Sequence, residues 1–235
     1  MYSRIMSAPP ETHHQKPEPR RRMSPDNRRA AIIRESIGFF ATHGFNVDTR
    51  SLAKHMQITQ ALLYKYFPSK QLLVEAVFEQ IFQKQGTVNW LPLLRDRSTD
   101  LKTRLQRFFV GYAASTYDYD WIRIYTLAAF AGGDLNRKYI RNVTRPLLRL
   151  IAEEVRLAAG LPLADASEVS ELEIEILWVF HFGIYYHPYR THVYGTPPPV
   201  PLAEIVEASV DGLIENLRNC IAKSEQSGVS KTAES

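Results

Sequence analysis

Two helix-capping residues set eleven positions apart, Asp48 and Thr59, constrain this chain more than any other feature. Short oxygen-bearing side chains satisfy the free amides of a helix's first turn, so each marks a helix start. After Asp48, the residues Leu52, Ala53 and Met56 share one helical face; after Thr59, Leu63 and Phe67 do, and Pro68 stops the helix. An offset of eleven between caps leaves room for one short helix and a tight turn. Two such helices need a floor, and the residues just upstream supply it. Ser24 caps a helix with Pro25 at its first position, Ile33, Ile37 and Phe40 recur as its apolar stripe, and Gly44 is expected to end it in a left-handed conformation.

A helix followed by two short ones about a tight turn is the helix-turn-helix arrangement. Its second short helix offers its N-terminal residues to base edges in a DNA major groove, while the first crosses the backbone. Charge is distributed to match. Met1 to Lys70 holds 12 Lys and Arg against 5 Asp and Glu, a balance of +7, whereas the remaining residues hold 17 against 20, a balance of −3. Positive potential is concentrated where phosphates would be met. Residues 1–23, rich in Pro, His and Arg and without periodicity, are expected to be a disordered basic arm. Its Arg20, Arg21 and Arg22 either stay solvated or enter a minor groove.

From Phe39 onward come HGF, Leu52-Ala53, Ile58-Thr59, the run LLYKYF, Pro68-Ser69-Lys70 and the pair Leu72-Leu73. This series resembles the DNA-binding domain of the tetracycline-repressor (TetR) family of transcriptional regulators, over Asn27 to Phe82. The resemblance implies that Thr49 and Arg50 meet phosphate and a base edge, the arginine pairing with guanine. It further implies that Gln60 reads adenine, that Leu62 touches a thymine methyl beside Ala61, and that Lys65 reaches a base or phosphate. Thr59, Tyr64, Tyr66 and Lys70 match phosphate-contacting positions, which fix register without reading sequence. The chain departs from the family pattern twice. Gln57 stands where the turn usually has glycine, and Ala61 stands where the recognition helix usually does. A non-glycine held left-handed at the turn costs roughly 1 to 2 kcal/mol.

Residues 24–70 are thus read as the DNA-binding domain and 71–86 as a connecting helix, with Leu72, Leu73, Ala76, Val77 and Ile81 on one side and Gly86 as its stop. Residues 87–222 read as a larger helical ligand-binding and dimerisation domain, with a disordered tail over 223–235, so the fold class is all-α. Helices are expected from Ser98 on: one stripe through Leu101, Leu105, Phe108, Phe109 and Tyr112, and another through Trp121, Ile124, Tyr125 and Ala128, stopped at Gly132 and Gly133. Asp134 to Ala159 follows with a kink at Pro146, then a loop through Gly160, Pro162 and Asp165. In Glu168 to Tyr186 nearly every position from Ile174 is apolar or aromatic, so that helix needs cover on two sides. The last helix carries Leu202, Ile205, Val206, Val210, Leu213 and Leu217. The resemblance implies that these two long helices pair with their mates in a homodimer, whose two heads would read a palindromic operator in double-stranded DNA.

Phe109, Tyr112, Trp121, Tyr125, Trp178, His181, Phe182 and Tyr185 lie on converging stripes. They form either a packed aromatic core or the lining of a pocket for a small hydrophobic or aromatic effector. No metal or cofactor is expected: His181, His187 and His192 share no helical face, and Pro188 interrupts the segment. No catalytic residue is assigned, since a phosphate loop, a nucleophile elbow and a His-Glu metal motif are absent, and Glu171 and Glu175 read as surface carboxylates. One cysteine, Cys220, no apolar leader and no bilayer-length apolar run predict a cytoplasmic protein without membrane contact. Two rival classes stand beside the regulator. A nonspecific DNA-binding protein fits the charge asymmetry but leaves the aromatic domain unexplained; a helical small-molecule-binding enzyme lacks a motif.

Overall fold

The computed structural model describes residues 23–86, 89–132, 134–161 and 169–232. The expected arm, with Arg20 to Arg22, and the loop residues Pro162 and Asp165 lie outside the described residues. Every regular element among the described residues is helical: α1 (Pro25–His43), α2 (Thr49–His55), α3 (Gln60–Tyr66), α4 (Lys70–Gly86), α5 (Leu91–Arg95), α6 (Leu101–Thr116), α7 (Tyr119–Phe130), α8 (Asp134–Tyr139), α9 (Arg145–Ala158), α10 (Glu171–His192) and α11 (Leu202–Thr232), with a π-helical segment Ile140–Thr144 between α8 and α9.

Local chemistry starts these helices. Ser24 accepts from the Asn27 amide (3.2 Å), Asp48 from Ser51 (2.7 Å) and Thr59 from Leu62 (3.1 Å), which fixes the starts of α1, α2 and α3. Ser69, Asp100 and Asp118 cap α4, α6 and α7 in the same way. Ser170 and Glu173 form a reciprocal capping box at α10. The turn after α2 shows how a residue other than glycine is held there. Gln57 has φ +54°, its amide donates to the Lys54 carbonyl and the Ile58 amide to that of Ala53. These two bonds complete a Schellman end, so the strain is offset by hydrogen bonding and half-burial of Ile58. Gly44 has positive φ (+79°) as expected, but ψ of 177°, a combination reached essentially by glycine alone.

The structure corrects several expectations. Leu72 is 48% exposed and does not share the buried side of α4 with Leu73, Ala76, Val77 and Ile81. Instead of one kinked helix over Asp134 to Ala159, the chain widens into the π-helical segment, where the Arg145 amide bonds back five residues to the Ile140 carbonyl. Pro146, at the start of α9, has no amide to give and so releases the four-residue repeat. The short helix α5 precedes Ser98, and its neighbour Trp90 packs over Gly111 of α6, where a Cβ would lie 2.7 Å from the indole. Helix α10 continues through Pro188 to His192, and α11 runs to Thr232 rather than ending near 222.

The core is continuous. α1 packs on α4 and α7, and α11 packs on α6, α9 and α10. Val206, Val210, Leu213 and Leu217 are buried within this packing, whereas Ile205, expected on the same stripe, is 38% exposed. Helix α10 buries Ile174, Leu177, His181 and Ile184 and leaves Leu172, Val179, Phe182 and Tyr186 outside.

Candidate nucleic-acid interface and small-molecule cavities

Leu52, Ala53 and Leu63 anchor α2 and α3 in the core at 1 to 2% exposure, which leaves the opposite faces of both helices free. On that outer surface Arg50, Thr59, Ala61, Tyr64 and Lys65 are exposed, and Thr49, Gln60, Leu62, Tyr66 and Lys70 are half-buried. Tyr66 packs partly against the core, so its ring is shared between surface and interior. Arg29 lies over the Phe67 ring at 5.0 Å and ties α1 to the end of α3.

Three of these side chains are bonded to one another. The Gln60 amide nitrogen donates to the Thr49 hydroxyl at 2.9 Å, and that hydroxyl lies 2.9 Å from the Tyr64 hydroxyl. Sequence reasoning treated them as separate contacts. Thr49 and Gln60 each open a short helix, and only the turn geometry brings those two starts together. Asp48 is held as a carboxylate below its ordinary range, chiefly by the Ser51 amide and hydroxyl.

The eight aromatic candidates separate into two groups. Phe109, Tyr112 and Trp121 are at most 3% exposed and packed ring on ring, as in the Phe108 to Phe109 edge contact (5.1 Å) and the Trp121 to Tyr125 stack (4.6 Å). The Tyr112 hydroxyl meets that of Tyr139 at 2.7 Å, and the Tyr117 hydroxyl meets His181 Nε2 at 3.0 Å. Trp178 stands edge-on to His181 at 5.7 Å. Burial raises the Tyr112 hydroxyl to about 12 and lowers the His181 imidazole to about 4. This interior is a core. His187 bonds the Val200 carbonyl and His192 stands against the Tyr119 ring, so the three histidines have separate partners.

Tyr125, Phe182 and Tyr185 instead line a cleft of about 340 Å³ between α7 and α10. Its other walls are Thr126, Ala129, Phe130, Tyr186, Tyr189 and Tyr194. The sequence reading missed the last three tyrosines, which fall beyond the expected end of α10 at Tyr186 or outside its inward stripe. Among the described residues, none that lines this cleft is charged. Two further cavities of about 500 Å³ each run along α4 and share Glu75, Leu135 and Lys138, and one of them reaches Lys70.

A family model described as bacterial regulatory proteins, tetR family, matches residues 32–77, the segment that holds the α2–α3 pair and its floor. Residues 32–77 thus form a DNA-binding head of the kind found in the TetR family of transcriptional regulators. This TetR-type head is also similar to the nucleoid occlusion factor SlmA of Marinobacter nauticus, 29% identical over 82 residues, which are 34% of this chain and 41% of that protein. The match thus spans less than half the length of this curated relative. The whole TetR-like fold is found in a TetR-family regulator from Mesorhizobium loti, at 15% identity and TM-score 0.58, covering 83% of this chain and 97% of that one. It is found again in the ketosteroid transcriptional regulator KstR2 of Mycobacterium tuberculosis, at 15% identity and TM-score 0.54, covering 80% and 94%. PfmR of Thermus thermophilus gives 17% identity and TM-score 0.55 over 78% and 97%. These likenesses establish an N-terminal helix-turn-helix head carried on a larger helical body. No helix among the described residues is long and apolar enough to cross a membrane.

Proposed function

We propose that this DNA-binding regulator acts in the cytoplasm as a homodimeric repressor, reads a palindromic operator, and releases it when a small hydrophobic or aromatic molecule binds the helical body. The observation that carries the first part is the outer surface of α2 and α3. Polar and basic side chains of the types that pair with base edges and phosphates stand there on a pair of helices anchored by a buried core.

Dimerisation is supported by α10. Leu172, Val179, Phe182 and Tyr186 are 40 to 77% exposed and fall at a heptad-like spacing, an apolar seam that suits a second helix of the same kind. Beside it, α11 exposes Ile205 and the small residues Ala208 and Gly212, which allow close approach. An isologous pair would set two heads about 34 to 36 Å apart, one DNA turn. The tyrosine-walled cleft is the effector site in this reading, since its size and uncharged lining suit a small apolar molecule. Phe182 and Tyr186 belong both to the cleft and to the seam, so a molecule bound there bears directly on how the subunits meet.

Selection of bound duplexes from a random DNA pool by the purified protein, at two salt concentrations, tests the proposal. An enriched palindrome is the expected result. Recovery of unenriched sequences whose binding vanishes as salt rises would leave only nonspecific phosphate attraction and overturn it.

A further inference from the structure

We propose that Thr49 is a positioning residue for base recognition: with Tyr64 and Gln60 it forms a directional hydrogen-bond relay that lets a phosphate contact set which end of the Gln60 amide faces the base. The inference rests on the DNA-reading function above and assigns within it a division of labour that residue types alone do not give.

The geometry is a chain of three groups across two helices. Gln60, the first residue of α3, donates from Nε2 to Thr49 Oγ1 at 2.9 Å; Thr49 opens α2, and its Oγ1 lies 2.9 Å from Tyr64 Oη, one turn further along α3. Tyr64 is 41% exposed and forms the outer end of the chain, while Thr49 and Gln60 are half-buried. A primary amide has an acceptor end and a donor end, and an unrestrained glutamine presents either to a base.

Proton counting removes that freedom. A phosphate oxygen only accepts, so a Tyr64 hydroxyl in contact with one donates its single proton outward and must accept from Thr49. Thr49 has then given its own proton to Tyr64, and towards Gln60 it can only accept. The amide nitrogen of Gln60 therefore faces Thr49, and its oxygen, with the second N–H, faces away. An amide presenting oxygen and N–H side by side matches the N6 amino group and N7 of adenine. Every donor in the chain is committed in one direction, and the bonds strengthen one another.

The test uses the full-length protein and the operator enriched by selection, with duplexes carrying every single base-pair change, titrated at several salt concentrations. The variants are Gln60→Ala, Thr49→Val, Thr49→Ser and Tyr64→Phe, each checked for wild-type helicity. Wild type is expected to discriminate at one A·T pair by roughly tenfold, and Gln60→Ala to abolish that preference. Thr49→Val, which keeps the shape and removes the hydroxyl, is expected to cut the preference at the same pair to about threefold while leaving the salt dependence unchanged. Thr49→Ser should restore it, and Tyr64→Phe should relax the same pair and also weaken every duplex. If Thr49→Val weakens all duplexes equally with the preference intact, Thr49 is a plain phosphate contact and the relay is overturned. A wild-type protein with no base preference at any pair would instead overturn the sequence-reading function itself, and the relay with it.

Discussion

The head formed by α1 to α3 and the body formed by α5 to α11 handle their polar groups in opposite ways. In the head the bonds that start the helices are short in sequence: Ser24, Asp48 and Thr59 each bond an amide three residues on. The side chains proposed to meet DNA are exposed or half-buried there. In the body, two buried carboxylates, Glu154 and Glu173, are paired with arginines distant in sequence. Arg104, at 5% side-chain exposure, and Arg97 hold Glu154 from 50 and 57 residues away, and Arg156 holds Glu173 from 17. A local surface costs little to alter. A buried charge stripped of its partner costs much, so the two regions should respond differently to the same kind of substitution.

Glu173 offers the largest test of that contrast. Its carboxylate is fully buried, meets Arg156 at 2.7 and 2.8 Å, and closes the capping box of α10 through Ser170. Burial pushes its pKa up, but the bonds from Arg156 and Ser170 outweigh that and hold the carboxyl below its ordinary range. Glu173→Ala leaves Arg156 buried without this partner and should destabilise the body by about 3 to 5 kcal/mol. All three tryptophans, Trp90, Trp121 and Trp178, lie in the body, so tryptophan fluorescence during urea unfolding is read from that region. A large fall in the fluorescence midpoint is expected. A midpoint within error of wild type would mean the buried pair is not what stabilises the body.

A smaller effect follows from His181, where burial alone is the cause. The imidazole takes up a proton near 6.5 when unfolded and near 4 when folded. Between those values the unfolded chain binds more protons, so stability is complete above about pH 6.5 and falls as pH drops towards about 4, by up to ~3 kcal/mol. His181→Gln should remove that slope and leave the plateau at neutral pH lower only by the loss of the Tyr117 contact. Unfolding free energies measured from pH 7 to 4.5 decide it, and a variant whose slope matches wild type would assign the dependence to other groups.

These differences also explain what could be read in advance. Every cap in the head lies within three residues of the amide it satisfies, so spacing alone predicted α1, α2 and α3, while the strained turn at Gln57 was legible only through the resemblance to the TetR pattern. The outward placement of Tyr64 followed from Leu63 and Phe67 taking the inner face, whereas Arg50 and Gln60 were singled out by the resemblance. The body resisted in proportion to sequence separation. Nothing near Arg104 in the chain announces Glu154, and the tyrosine cleft is built by Tyr125 of α7 together with Tyr194, which lies beyond α10 in no periodic element. An aromatic-rich helix read alone is equally a core and a pocket wall. The fold made Phe109, Tyr112 and Trp121 core, and it left Tyr125, Phe182 and Tyr185 at a cleft.

The smallest expected effect lies where the two regions meet. Arg123 of α7 donates from Nε to the Ala41 carbonyl at 2.8 Å and from Nη2 to that of Thr42 at 3.5 Å, in the last turn of α1. The closing carbonyls of a helix have no partner of their own, and a cation is well suited to satisfy them. This contact thus joins a local need of the head to a distant side chain of the body, 82 residues on. Arg123→Met keeps the aliphatic stem and removes the donors, at a cost of about 1 kcal/mol, since the site is partly open to water. Amide exchange in residues 40–44 should then quicken roughly fivefold, while the fluorescence midpoint of the body stays in place. Exchange left at the wild-type rate would mean that apolar packing of α1 on α7 and α4 holds head to body by itself, and that the polar link between them is dispensable.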